Sequence, residues 1–410
     1  MKRACRSKPQ DLSVTTELIR FAVLFGFLYG AFGVHSPFFP SLLTSRGLDP
    51  AAVSVVLASG TAIRLAAAPL AGRIADRLNA SRAVLAVSTA AAALLGLGYL
   101  LAWEFWPILL VSAAASMALA PVAPLADALA LNAAERRGPD GNPAFPYGWV
   151  RGVGSAAFIA GSLVSGQIVG HFGLTAIVLL QAGLLAPTSF FALAVRQQSA
   201  TGRDRTGREA PPDTRNGVRR LLGIPLYRRL VLVAALVFGS HAMHDSFAVI
   251  RWREAGVGPG AISALWSESV AAEVLIFFVI GPPLLTRIGP AYTAALCAGA
   301  GVVRWIVSAE TAWVPALLLI QPLHGLTFAL LHLACMRLLG LVVPPGLSAT
   351  ALTVYGTFGA GVSSVLLTLA SGPLYGRFGA GGFWAMAALC ALAIPLALTL
   401  RPPEPAHARL

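Results

Sequence analysis

The chain has 410 residues, of which 57% are hydrophobic and only 11% charged, with a formal net charge of +13 and a mean hydropathy of +0.74. A soluble domain averages about 25% charged residues, so the composition excludes an ordinary soluble protein; helix-length apolar runs, in place of ten-residue alternations, exclude an outer-membrane barrel. The positive charge does not point to nucleic acid: no residue pattern resembles a nucleic-acid module, and the positive-inside rule accounts for the excess.

The N-terminus is basic (Met1-Lys-Arg-Ala-Cys-Arg-Ser-Lys8), but the apolar run after it is too long for a signal-peptide core and lacks a small-residue cleavage site. It reads as a retained first helix. Twelve membrane spans follow, at about 18–41, 51–72, 82–102, 106–130, 148–170, 173–195, 229–250, 261–285, 290–309, 312–337, 348–371 and 380–400. With the N-terminus inside, the cytoplasmic segments hold 23 Lys and Arg, the outer segments four and the spans three. That asymmetry places both termini in the cytoplasm. The expected fold is all-α, with six-helix halves at 1–195 and 230–410 joined by a cytoplasmic linker, 196–229. The linker carries nine Arg, three acids and Pro211-Pro212, as a flexible solvated connector does. Cys5, Cys297, Cys335 and Cys390 form no CxxC pair and imply neither a disulfide framework nor a metal site.

The halves repeat. Ser165-Gly-Gln-Ile-Val-Gly-His-Phe-Gly173 recurs as Ser371-Gly-Pro-Leu-Tyr-Gly-Arg-Phe-Gly379, and Gly47-Leu-Asp-Pro50 as Gly256-Val-Gly-Pro259, at displacements of 206 and 209 residues. Each pair falls on one side of the membrane, as in a parallel six-plus-six repeat. Small residues at three- and four-residue spacing in spans 5 and 11, among them Gly161, Gly166, Gly170, Gly372 and Gly376, fit close helix packing that tolerates sliding.

Ionisable residues inside the spans are the candidate site. Four acids (Asp127, Asp245, Glu268, Glu273) meet three arginines (Arg64, Arg151, Arg304), and the high cost of an unpaired ion in lipid makes pairs the expectation. Glu273 lies about 20 Å into span 8, at about 1.5 Å per residue, beside Trp266 on the same helical face. Glu268, also a candidate for proton coupling, lies about 140° away around that helix, so the two acids cannot both face one cavity. His241 and Asp245, spaced i, i+4, are placed for direct contact. His244 and His332 read as interhelical hydrogen-bond donors. Between spans 2 and 3, Gly72-Arg-Ile-Ala-Asp-Arg-Leu-Asn-Ala-Ser-Arg82 offers a small residue for close helix approach, then Asp76, Arg77 and Arg82 at helix ends, where charges can pair across an inner gate.

This loop resembles the G-x-x-x-D-R-x-G-R signature of the major facilitator superfamily, with Asn79 at the usual second glycine and the last arginine arriving late, at Arg82. Asn tolerates a left-handed backbone, so the turn can survive. Gly30-Ala-Phe-Gly-Val-His-Ser-Pro-Phe-Phe-Pro40, Tyr147-Gly-Trp-Val-Arg151, Val302-Val-Arg304 and Leu323-His324 resemble the lactose permease group. Trp266…Val270-Ala-Ala-Glu273 and Gln321-Pro-Leu-His-Gly-Leu-Thr-Phe328 with His332 are closer to phenylpropionate permeases of the same superfamily. The resemblance spans essentially all twelve helices. It implies gate control by Asp76, Arg77 and Arg82, a substrate-binding Arg151 paired with Asp127, and Arg304 and His324 in a proton-coupling network. Thr327 stands where lactose permease has a second acid, so the proton role would move to Glu273 or Asp245.

The expected protein is therefore a proton symporter of the bacterial cytoplasmic membrane, acting as a monomer on a small organic solute, with an aromatic carboxylate such as phenylpropionate favoured. Arg151, with Arg64 or Arg304, would bind the carboxylate, and Phe32, Phe38 and Trp266 would face the ring. No nucleotide loop, catalytic triad context or Cys/His metal spacing is present, so no enzyme, no cofactor and no energy source but the proton gradient is expected. Span 5 lacks the proline or Gly-Pro pair usual in the superfamily's drug–proton antiporters, which favours import. Sugar or nucleoside symport, export, and a non-transporting receptor or scaffold remain the alternatives.

Overall fold

The computed structural model describes residues 9–136, 144–195 and 214–401, and every regular element among them is helical. Among the described residues, ten continuous helical stretches are long and apolar enough to cross a membrane. Two of them, Pro259–Glu310 and Ser348–Leu398, run to 52 and 51 residues. At about 1.5 Å per residue each would reach nearly 80 Å, against a hydrocarbon core of about 30 Å. Each is broken by a left-handed glycine, Gly289 (φ 74°) in the first and Gly379 (φ 54°) in the second.

The described residues group into two compact units, one drawn from Met1–Leu42 and Ile63–Arg203, the other from Leu43–Ala62 and Asp204–Leu410. Residues 43–62 belong to the sequence's first half yet pack within the second unit. Of the linker expected at 196–229, residues 196–213 lie outside the described residues, and Thr214–Leu222 forms a short helix that packs on the Ser348–Val354 and Pro225–Gly239 helices.

In the first unit the Pro9–His35 helix packs along Tyr147–Phe172, backbone nearly against backbone. A Cβ on Gly33 would collide with the carbonyl of Phe158, and one on Gly161 with the carbonyl of Gly30; neither neighbour can step aside. Within lipid, such close approach supplies the dispersion contacts that hold helices together. Gly161→Val is expected to destabilise the protein by about 1–3 kcal/mol, the usual cost of overpacking. Gly170→Ala, whose new methyl meets nothing within 4 Å, should leave stability unchanged or slightly raised. Thermal denaturation of the detergent-solubilised variants separates the two.

In the second unit, Gly301 closes on Cys390, Gly325 on the carbonyl of Ala272, and Gly372 on Ser54 and the carbonyl of Pro50. Three wide π-helical turns interrupt its helices, at Ile276–Ile280, Leu326–Leu330 and Tyr355–Val362. Such turns insert one residue into the i→i+4 ladder and gather at functional sites. The first follows Glu273, and the second contains Thr327.

The repeat seen in the sequence is matched in backbone conformation. Gly47 and Gly256, which open the four-residue motif, have φ of 85° and 81°, and Gly173 and Gly379, which close the nine-residue motif, have φ of 78° and 54°. Only glycine enters that region at no steric cost. In the signature-like loop Asn79 does adopt the left-handed conformation, φ 46°. Gly72 departs from expectation: a Cβ there would meet nothing within 4 Å, so the residue is not small for the sake of a close helix contact in this arrangement.

Candidate functional site

Each unit holds its own polar cluster. In the first, Tyr147 and Arg151 lie one turn apart on the Tyr147–Phe172 helix. The Tyr147 hydroxyl donates to Asp127 Oδ1 at 2.8 Å. The Arg151 guanidinium sits over the Tyr29 ring, 4.6 Å from its centroid, and Tyr29 in turn stacks on Phe25 and meets Phe32 edge-on at 5.6 Å. Asp127 and Arg151 both act electrostatically on Tyr29 and Tyr147, so the four form one group. The expected Asp127–Arg151 ion pair is not formed; Tyr147 takes the carboxylate instead. Arg151 Nη1 is buried without a hydrogen-bond partner. A desolvated guanidinium N–H with no acceptor costs stability, of order 1–3 kcal/mol, a cost that an anionic acceptor would remove.

Elsewhere in this unit, Arg64 lies within electrostatic range of His35 and Tyr99, and His35 stacks on Phe39 at 4.2 Å. Phe32 is partly exposed, but Phe38 is 0% exposed and leaves no surface for a ligand here. Phe38 is a core residue in this arrangement. Asp76, Arg77 and Arg82 are exposed, and among the described residues no ion pair links them.

The second unit carries the larger cluster, built around Arg304, which is 0% exposed. Its Nη1 is 3.1 Å from His324 Nδ1 and 3.5 Å from Thr327 Oγ1, and its Nη2 is 3.4 Å from Gln321 Oε1. The guanidinium also covers the Trp305 ring at 4.6 Å, a desolvated cation–π contact worth about 2 kcal/mol. His324 Nε2 lies 3.7 Å from Glu273 Oε2, an ion-pair distance too long for a hydrogen bond. On the other side, Gln321 Nε2 reaches the Leu265 carbonyl (3.4 Å) and His244 Nε2 (3.5 Å). His244 Nδ1 is 3.2 Å from Asp245 Oδ1, and its ring stacks on Trp266.

Spacing alone placed Asp245 on His241. The structure pairs it with His244, because the His241 ring is held inward between Trp305 and Thr327, its Nε2 2.9 Å from Thr327 Oγ1, while the Asp245 side chain is 59% exposed. Glu268 stands apart from this cluster as its helical phase requires, with Oε2 buried and without a hydrogen-bond partner. The interhelical hydrogen bond expected of His244 forms with Gln321, but reading ionisable residues singly missed the parts that Gln321, Tyr29 and Tyr147 play in the clusters. The available signal was polar residues at helical spacing in apolar runs: Tyr147 one turn before Arg151, and Gln321, His324 and Thr327 three apart.

The comparisons with known proteins agree with this architecture. The family model described as MFS_1 like matches residues 18–386. The probable 3-phenylpropionic acid transporter of Escherichia coli (strain K12) is 32% identical over 91% of this chain and 94% of its own length. The maltose permease of Geobacillus stearothermophilus is 26% identical over 93% of each chain. Among solved structures, the nucleoside transporter NupG superposes with a TM-score of 0.77 at 16% identity, covering 94% of this chain and 98% of that one. The chain is thus a multi-pass membrane protein and a transporter of the major facilitator type, and it belongs to the MFS_1 like family.

Proposed function

We propose that the protein is a proton-coupled importer of a small aromatic carboxylate of the phenylpropionate class. The observation that carries this reading is the buried, partnerless Arg151 Nη1 above an aromatic group of Tyr29, Phe25 and Phe32. A carboxylate satisfies the guanidinium, and an aryl ring has aromatic neighbours. Glu273 carries the coupling proton. Protonating it beside His324 and Arg304 removes one charge from an apolar environment, which lowers the cost of reorienting the loaded carrier. Asp76, Arg77 and Arg82 act at the inner gate, and Arg64 is a second candidate anion contact.

The two long helical stretches each cross the membrane twice, folding at Gly289 and Gly379, which gives twelve spans. The six-helix halves are 1–195 and 230–410, the termini and the 196–229 segment are cytoplasmic, and the membrane is the bacterial inner membrane. The protein acts as a monomer, needs no cofactor, and draws on the proton gradient.

Uptake of radiolabelled 3-phenylpropionate into cells making the protein tests this. It should be abolished by a protonophore and by Glu273→Gln, and competed by aryl carboxylates but not by 3-phenylpropanol, which keeps the ring and lacks the anion. Competition by 3-phenylpropanol as strong as by the acid would remove the role given to Arg151. The maltose permease relative motivates a second reading, sugar symport; competition by maltose in place of phenylpropionate would establish it.

A further inference from the structure

Hydrogen bonds link His324 through Arg304, Gln321 and His244 to Asp245, with Glu273 3.7 Å beyond His324, and their directions follow from elementary donor and acceptor rules. A guanidinium only donates and keeps its protons. His324 Nδ1, 3.1 Å from Arg304 Nη1, must therefore accept, which leaves the ring proton on Nε2, the nitrogen facing Glu273. Gln321 Oε1 accepts from Arg304, so the Gln321 amide nitrogen faces the Leu265 carbonyl and His244 Nε2. His244 Nε2 then accepts, and its proton sits on Nδ1, directed at Asp245. His241 is fixed as well: Nδ1 faces the Val237 and Phe238 carbonyls and must donate, so Nε2 accepts from the Thr327 hydroxyl.

Every hydrogen bond thus points away from Arg304, along one arm to His324, whose Nε2–H faces Glu273 across 3.7 Å, and along the other to Asp245. A proton hops along such a chain only when all its bonds run in one direction. Here the direction reverses at a group that cannot release a proton. We infer that Asp245 is a second proton-accepting carboxylate of this site, held by the positioning residues His244 and Gln321 and insulated from Glu273 by Arg304. The ionisable groups around the two carboxylates are His241, His244, His324, Arg304 and, nearer Glu273, His332. The three imidazoles of the network are committed to their hydrogen bonds as neutral rings, so the protons that come and go reside on the carboxylates. This deepens the proton-coupling reading above and rests on it.

Solid-state nitrogen-15 spectra of histidine-labelled protein in lipid distinguish the two neutral tautomers from imidazolium. With assignments made from His244→Gln and His324→Gln spectra, His244 should appear as the Nδ1–H and His324 as the Nε2–H tautomer, both neutral at pH 7. Gln321→Leu should alter the His244 signal and leave that of His324 in place. Infrared difference spectra on acidification should show one carboxyl band in Glu273→Gln that is missing from Glu273→Gln/Asp245→Asn, over the signal common to both from the other acids. An Nε2–H tautomer at His244, an imidazolium at His324, or the same carboxyl titration in the single and double variants would overturn the inference. Solute-driven proton flux is read separately, so failure of the symport reading is not confused with failure of the two-arm geometry.

Discussion

Arg304→Met is expected to abolish proton-coupled uptake, by at least about 100-fold, while the protein still inserts and folds. Methionine follows the path of the arginine stem and can keep contact with Trp305, but it leaves His324 Nδ1, Gln321 Oε1 and Thr327 Oγ1 without their donor. Each buried acceptor so stranded costs about 1–3 kcal/mol, and removal of a desolvated cation returns part of that loss. The net change in stability is therefore smaller than the change in function. Function fails because His324 loses the donor that fixes its tautomer and Gln321, which fixes that of His244, loses the bond that orients its amide, and misplacement of a reacting group by about 1 Å already costs on the order of 100-fold. Arg304→Lys retains the charge, but one ammonium lacks the planar fork that reaches His324 and Gln321 together, so it should rescue little. Uptake rates alongside thermal midpoints check both variants. Normal transport by Arg304→Met would show that the network is only structural.

Arg151→Gln should weaken solute binding by roughly 150-fold, or about 3 kcal/mol, the order of cost for losing one partner of a desolvated charged hydrogen bond. Its effect on stability should be modest: the contact with Tyr29 is lost, but so is a buried Nη1 with no acceptor, and Arg151 makes no ion pair with Asp127. The loss should be specific to anions, with residual affinity equal for 3-phenylpropionate and 3-phenylpropanol. Equilibrium binding of the two ligands to purified variants measures this. An unchanged preference for the acid would move the carboxylate site to Arg64.

Much of this molecule was legible in its sequence. Hydropathy marked the helices, and the repeated motifs marked turns that take left-handed glycines at 47, 173, 256 and 379. The buried ions were also visible, because in lipid each one is conspicuous. Their partners were not. Helical spacing gives the face a residue occupies but not which neighbouring helix presents an acceptor to it. Spacing therefore gave Asp245 to His241, and the family resemblance gave Asp127 to Arg151, where His244 and Tyr147 intervene. Phe38, conspicuous in an aromatic run, lies in the core because the Pro9–His35 helix ends before it and the chain turns, so the helical phase of Phe32 does not carry on to Phe38. The π-helical turns left no signal at all, since they depend on how helices pack and not on local residue preference.

The most direct test of the proton-coupling claim is lumenal pH in proteoliposomes carrying a trapped pH indicator, with 3-phenylpropionate added outside at pH 6. The undissociated acid crosses lipid unaided, so the signal that counts is the acidification beyond that of protein-free vesicles. The account predicts a faster initial acidification with the protein, saturable in solute and absent with Glu273→Gln. Saturable entry of labelled 3-phenylpropionate with no excess acidification, or with excess acidification that survives Glu273→Gln, would contradict it.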